Sequence, residues 1–196
     1  MESNSHHLVM GEMTDFLTGK TVPDTHDERY HQKLARLLVD TLGYDPKMIV
    51  QKREVMVRAG GREAGILVDF LVGRGEYPAM LIKYAPGSLV TRRLSNLALS
   101  RMIFPFQIPI VVTTNGEDAE IIDGFTGKVV GQGIGAIPGP GSPLMEERQP
   151  KIISAALFDK ASRIAFACEV DGSCLMNDGF RCDAWYCYPD QTSEKE

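Results

Sequence analysis

Apolar and polar positions along this chain change their spacing several times, and each change marks an element. Between Thr25 and Gly43, Leu34, Leu37, Leu38 and Leu42 recur at helical spacing, and Gly43 is a natural stop. Thr25 followed three residues later by Glu28 has the form of a capping box, which puts Glu28 in the first turn of that helix. Ile49 to Ala59 then reads as a strand, Gly60-Gly61 as a hairpin turn and Ile66 to Val72 as a second strand. Ala79 to Lys83 is a third. Ser88 to Phe104 suits a helix, and the continuous apolar run Ile108 to Thr114 suits a buried parallel strand. Ala119 to Asp123 and Val129-Val130 are short strands. The order helix, three strands, helix, strand, strand predicts an α/β fold with a mixed central sheet flanked by helices.

From Gly131 to Pro143 the composition shifts to Gly and Pro, which reads as a linker. A phosphate loop would need a Gly-Lys-Ser/Thr ending between a strand and a helix, and this stretch lacks it. Beyond it, Pro150 to Phe158 suits a short helix and Ser162 to Val170 a strand. The expected organisation is a polar leader (1–24), an α/β domain (25–137), a Gly/Pro-rich linker (138–150), a Cys-containing C-terminal segment (151–190) and a frayed tail (191–196).

Two charges interrupt the apolar strands. Asp69 lies inside Ile66-Leu67-Val68-Asp69-Phe70-Leu71-Val72, and Lys83 ends Ala79-Met80-Leu81-Ile82-Lys83. A charge in a buried strand is costly unless it is paired, bound to metal or facing water at a strand end. Phosphodiester cleavage needs an activated water and neutralisation of charge developing on phosphorus. Carboxylates holding Mg²⁺ supply the first and a neighbouring lysine the second. Glu28, Asp69 and Lys83 form such a set.

The chain has 196 residues, 43% hydrophobic and 24% charged, with a formal net charge of −5, so it is globular material rather than a basic nucleic-acid coat. A local basic groove remains compatible with that balance. No apolar run approaches the length of a membrane helix, and the first residues lack the basic-then-apolar pattern of a secretory signal. A cytoplasmic location is expected.

The order helix-Glu, β-hairpin, Val-Asp-Phe and apolar strand ending in Lys resembles the restriction-endonuclease-like (PD-(D/E)xK) fold. More closely, it resembles the N-terminal domain of type I restriction enzyme R subunits. THDERYHQKLARLLVDTLGY, LVDFLVG, LIKYAPGSLVTRR, ALSRMIFPFQIPIVVTTNGEDAEIIDG and FTGKVVG carry the likeness, over residues from about 14 to 137. The resemblance implies divalent-metal-dependent DNA cleavage, with Asp69 and Glu28 as metal-binding acids and Lys83 as the lysine of the ExK motif. It also implies DNA and a helicase, translocase or other restriction-system subunit as partners, because no Walker loop occurs in this chain. One position departs from the pattern: Leu81 stands where ExK requires an acid, and leucine cannot bind Mg²⁺. Glu76 and Glu54 are the substitutes considered. The function expected is that of a DNA endonuclease-like domain. The alternative is a non-catalytic nucleic-acid or protein binding module on the same fold.

Ser88, Arg92 and Arg93 follow Lys83 closely and are candidates for holding a phosphate. Cys168, Cys174, Cys182 and Cys187 are candidates for a Zn²⁺ site or an iron–sulfur cluster, although no Cys-x-x-Cys knuckle is present. Two disulfides, or four unlinked thiols, are the competing readings.

Overall fold

The computed structural model describes residues 9–74, 77–145 and 151–171, together with the backbone of 180–182 and 187–189. Its centre is a six-stranded mixed sheet in the order β3-β4-β5-β6-β7-β8. These strands are Ile49–Ala59, Arg62–Arg74, Tyr77–Tyr84, Ile110–Thr114, Ala119–Asp123 and Val129–Gln132. All neighbours pair antiparallel except β5 and β6, which run parallel and are joined through helix α2 (Arg93–Leu99). The β3–β4 hairpin turns at Gly60 and Gly61, whose φ values of +57° and +75° suit a two-residue turn that side chains resist.

Helix α1 (His26–Arg36) covers one face of the sheet. Its Leu34, Ala35 and Leu38, in the turn just past its end, share a core with Phe70, Val72, Met80, Ile82 and Ile121. The opposite face packs on α2 and on α3 (Ala155–Glu169), where Leu97, Ala165 and Phe166 meet Val57, Val68, Leu71 and Leu81. This is the mixed sheet flanked by helices that the sequence pattern predicts.

Four stretches differ from the sequence reading. The stretch expected as a polar leader contains a β-hairpin, β1 (Glu12–Thr14) with β2 (Thr21–Pro23), and Phe16 and Leu17 between the two strands pack on the α1-side core. The described part of the expected linker also packs: the Tyr44 hydroxyl donates to the Pro138 carbonyl at 2.8 Å, and Met145 is buried. Ser162 to Val170 is not a strand but most of α3, capped by Ser154, whose Oγ accepts the Leu157 N–H at 3.2 Å. The helix expected over Ser88 to Phe104 is confined to Arg93–Leu99 after a short 3-10 turn, Val90–Arg92.

The sheet changes character where β3 and β4 run past the end of β5. On β4, Ile66 and Val68 face the α2/α3 side, whereas Phe70 and Val72 face α1. On β3, Val55 and Val57 likewise face α2/α3 and Ile49 faces α1. Strand alternation forbids this unless each strand slips once. The slips lie at Lys52 and Asp69, bracketed by the register pairs Gln51 with Phe70 and Arg53 with Val68. Lys52 has φ +54°, a left-handed backbone that costs a non-glycine residue about 1 kcal/mol. Both side chains are thereby released from the sheet faces.

Candidate functional site

A cleft of ≈ 290 Å³ opens at that point, at the carboxyl end of β5, and its lining includes Glu28, His31, Lys52, Asp69, Lys83, Arg92 and Glu169. Of the residues singled out from sequence, Glu28, Asp69, Lys83 and Arg92 meet here. They arrive from α1, β4, β5 and the turn before α2.

Asp69 is held by the end of a ladder. The β4–β5 register runs from Arg74 with Tyr77 to Phe70 with Ile82, so Asp69 and Lys83 would be the next pair. At that position the Asp69 side chain takes over from the backbone: its Oδ2 accepts the Tyr84 N–H at 2.8 Å. Burial pushes the carboxyl up to about 6, against the Tyr84 N–H and the Lys83 ammonium, which pull it down. Asp69 therefore exchanges its proton close to neutral pH.

Lys83 makes its ion pair with another acid. Its Nζ lies 3.4 Å from Oε2 of Glu169, the last residue of α3. Glu169 Oε1 accepts from Ser95 Oγ at 2.6 Å and stands 4.0 Å from Arg92 Nη1. Glu169 was not among the residues predicted to serve the site.

Glu28 is positioned by its helix. Its N–H donates to Thr25 Oγ1 at 3.1 Å, half of the expected capping box, and an acid in the first turn suits the helix dipole. The Glu28 carboxylate turns instead to Lys52 Nζ and Gln32 Nε2, each at 2.7 Å. His31, 3% exposed, stacks on Phe70 with ring centroids 4.2 Å apart. Burial first, then the Lys52 charge, holds its pKa below the ordinary histidine value, so the ring is neutral at pH 7. Its buried Nδ1 has no hydrogen-bond partner and lies 3.7 Å from Glu28 Oε1.

That orphaned nitrogen bears on metal binding. Ligand atoms of Asp15, Glu28 and His31 lie within 4.8 Å of one another, a group able to hold a divalent ion. A mixed N/O set of this kind suits Mn²⁺ or another transition ion better than Mg²⁺. Two features oppose the ion. Lys52 already neutralises Glu28. Asp15, though burial pushes its pKa up, is held well below the carboxylate range by hydrogen bonds its oxygens already accept from Thr18, Gln51 and Gln32, and an ion would have to displace some of these donors. Asp69 and Lys83 do not belong to this group.

The remaining predicted residues lie elsewhere. Leu81 is 0% exposed, in the core shared with α2 and α3, so the position where the resemblance expects an acid is sealed beneath the sheet surface. Glu54 is exposed and lies over Gly65, and Glu76 lies outside the described residues. Arg93 turns to β7, forming a two-pronged ion pair with the buried Glu120. Ser88 is exposed in the preceding loop and does not line the cleft. Cys168 is buried on α3 and disulfide-bonded. Cys182 and Cys187 are register partners in a small hairpin of β9 (Phe180–Cys182) and β10 (Cys187–Pro189). Their side chains and Cys174 lie outside the described residues, and nothing described supports Zn²⁺ or an iron–sulfur cluster on the cysteines.

The model of the type I restriction enzyme R protein N terminus (HSDR_N) matches residues 26–138. The chain belongs to that family. The match runs from the first residue of α1 to just beyond β8, and so includes Glu28, Asp69, Lys83 and Arg92. Glu169 and Asp15 fall outside it. No curated protein and no solved structure matches the chain. No described helix is long and apolar enough to cross a membrane.

Proposed function

We propose that the cleft is a nuclease-type site that binds the phosphate backbone of DNA and cleaves it with the help of a divalent metal ion. The observation that carries this reading is the convergence of Glu28, Asp69 and Lys83 from three separate elements into one water-accessible cleft. A bound divalent ion supplies Lewis-acid polarisation of the phosphate and a more acidic water. Glu28 and His31, with Asp15, offer its protein ligands. Asp69, with a pKa of about 6, serves as the proton acceptor for the attacking water above that pH. Lys83 and Arg92 place positive charge against the scissile phosphate. DNA, and a motor or other restriction-system subunit supplied separately, are the partners this reading implies.

A second reading, a binding module without cleavage, draws on one specific feature. Leu81 is sealed in the core, and Lys83 is already paired with Glu169. Supercoiled plasmid separates the two. Relaxation by the wild-type protein with Mn²⁺ or Mg²⁺, lost in Lys83→Ala, supports cleavage. Duplex binding without relaxation under any metal supports the module.

A further inference from the structure

Lys83, Arg92 and Ser95 surround one carboxylate, and the fit is loose. Ser95 Oγ reaches Glu169 Oε1 at 2.6 Å, a full hydrogen bond. Lys83 stands off at 3.4 Å from the other oxygen and Arg92 at 4.0 Å. Charge-assisted N–H···O bonds close to about 2.8 Å when geometry permits. The carboxylate has lone pairs enough for three donors, yet as placed it closes only on Ser95 and leaves the cations from β5 and the 3-10 turn at long range. A tetrahedral phosphate, with more oxygens and more charge, satisfies all three. Two of the donors are well sheltered, since Ser95 is fully buried and the Lys83 side chain is 12% exposed, whereas Arg92 is about a third exposed.

The residue filling this space sits at the end of its helix, between Cys168, which is buried and disulfide-bonded, and Asp171, which pairs with Arg62 at 2.7 Å. Glu169 ends α3, outside the family-matched region, and the last turn of α3 carries no basic side chain to offset the helix dipole. Past it, the Val170 N–H still closes on the Phe166 carbonyl at 2.9 Å. Releasing the Glu169 carboxylate loosens the terminal turn locally, while the Cys168 disulfide and the Asp171–Arg62 pair keep the helix end in place.

We propose that Lys83, Arg92 and Ser95 form a phosphate-binding site that Glu169 occupies as an internal stand-in, so that the end of α3 competes with a nucleic-acid phosphate for the cleft. This deepens the reading of the cleft as a DNA-backbone site and rests on it for the identity of the phosphate. Ligand entry requires the Glu169 carboxylate to leave, and the last turn of α3 tunes how readily the cleft engages its substrate.

Pyrophosphate, titrated by calorimetry into the whole chain, tests the site without requiring DNA. Glu169→Gln is expected to bind it at least about tenfold more tightly than the wild type. The gain should vanish in the Glu169→Gln, Lys83→Met double variant. On the unsubstituted protein, saturating pyrophosphate should speed hydrogen exchange of the Ala167 to Val170 amides, a readout independent of how well the variants fold. Equal affinities, a gain that survives loss of Lys83, or unchanged exchange at saturation each overturn the proposal. Loss of Mn²⁺ binding in Glu169→Gln with no gain for pyrophosphate also overturns it and makes the carboxylate a metal ligand. A pyrophosphate gain without plasmid relaxation supports the phosphate site while counting against the nuclease reading. Plasmid relaxation by the wild type with no gain in Glu169→Gln counts against the stand-in alone.

Discussion

The Asp69 carboxylate accepts the Tyr84 N–H at 2.8 Å, one register position beyond the last β4–β5 pair. That bond fixes the acid at the mouth of the cleft but does not offset its burial, which leaves the folded pKa near 6 against an ordinary 3.8. The native state therefore binds the proton more tightly than the unfolded chain, and stability falls as pH rises from about 4 to about 6. Asp69→Asn keeps an acceptor for Tyr84 and removes the charge. It should be more stable than the wild type by about 3 kcal/mol at pH 8 and equal to it below pH 4. Urea unfolding across that range checks this, and a difference independent of pH would contradict it.

Arg92 and Arg93 are neighbours with opposite duties. Arg93→Ala leaves Glu120, 5% exposed, without its two-pronged partner, and should cost about 3 kcal/mol in unfolding free energy. Arg92→Ala removes a half-exposed group only 4.0 Å from its acid, and should cost under about 1 kcal/mol. Duplex binding should respond in the reverse order once folding is controlled for, with Arg92→Ala weaker and less salt-dependent. Fluorescence anisotropy at several salt concentrations measures it.

Lys52 holds the carboxylate that a metal would need. Its left-handed backbone aims the ammonium at Glu28, 2.7 Å away, beside the orphaned His31 Nδ1. Lys52→Gly relieves the backbone and removes the internal cation. Mn²⁺ binding by calorimetry should tighten about tenfold, since Coulomb repulsion and competition both disappear. Glu28→Gln should abolish the gain, and persistence of binding in that variant would place the metal elsewhere.

Restoring an acid at position 81 should not rescue metal chemistry. Leu81 is wholly enclosed with α2 and α3, and an unpaired carboxylate there costs several kcal/mol. Leu81→Glu should lose about 3 kcal/mol or more of stability and gain no Mg²⁺ affinity. A stable Leu81→Glu protein with new Mg²⁺ binding would contradict the packing described for β5.

Glu28, Asp69 and Lys83, which line one cleft, stood out in the sequence because each announces itself locally. Glu28 follows a helix cap, and the other two break apolar runs that a buried strand would otherwise keep intact. The β3–β4 turn was legible from Gly60-Gly61 for the same reason. Glu169 was not. Ile164 to Cys168 is an apolar run too short to fix a period, and a helix packed against a sheet reads there like a strand. Ser154, which caps α3, was the available signal. Asp15 was hidden because Phe16 and Leu17 are two apolar residues in a polar stretch, and what they pack against is distant in sequence. Arg92 and Arg93 could not be told apart, since a rotation of about 100° per residue decides which one meets the cleft and which meets β7.

The pH dependence of metal-activated plasmid nicking bears most directly on the cleft as a nuclease site. With Mn²⁺ saturating, the wild-type rate should rise with pH and level off above about 6, where Asp69 loses its proton, and Asp69→Asn should reduce nicking at least about 100-fold. Nicking by Asp69→Asn at the wild-type rate, or DNA left intact by the wild type with every divalent metal, would contradict the account.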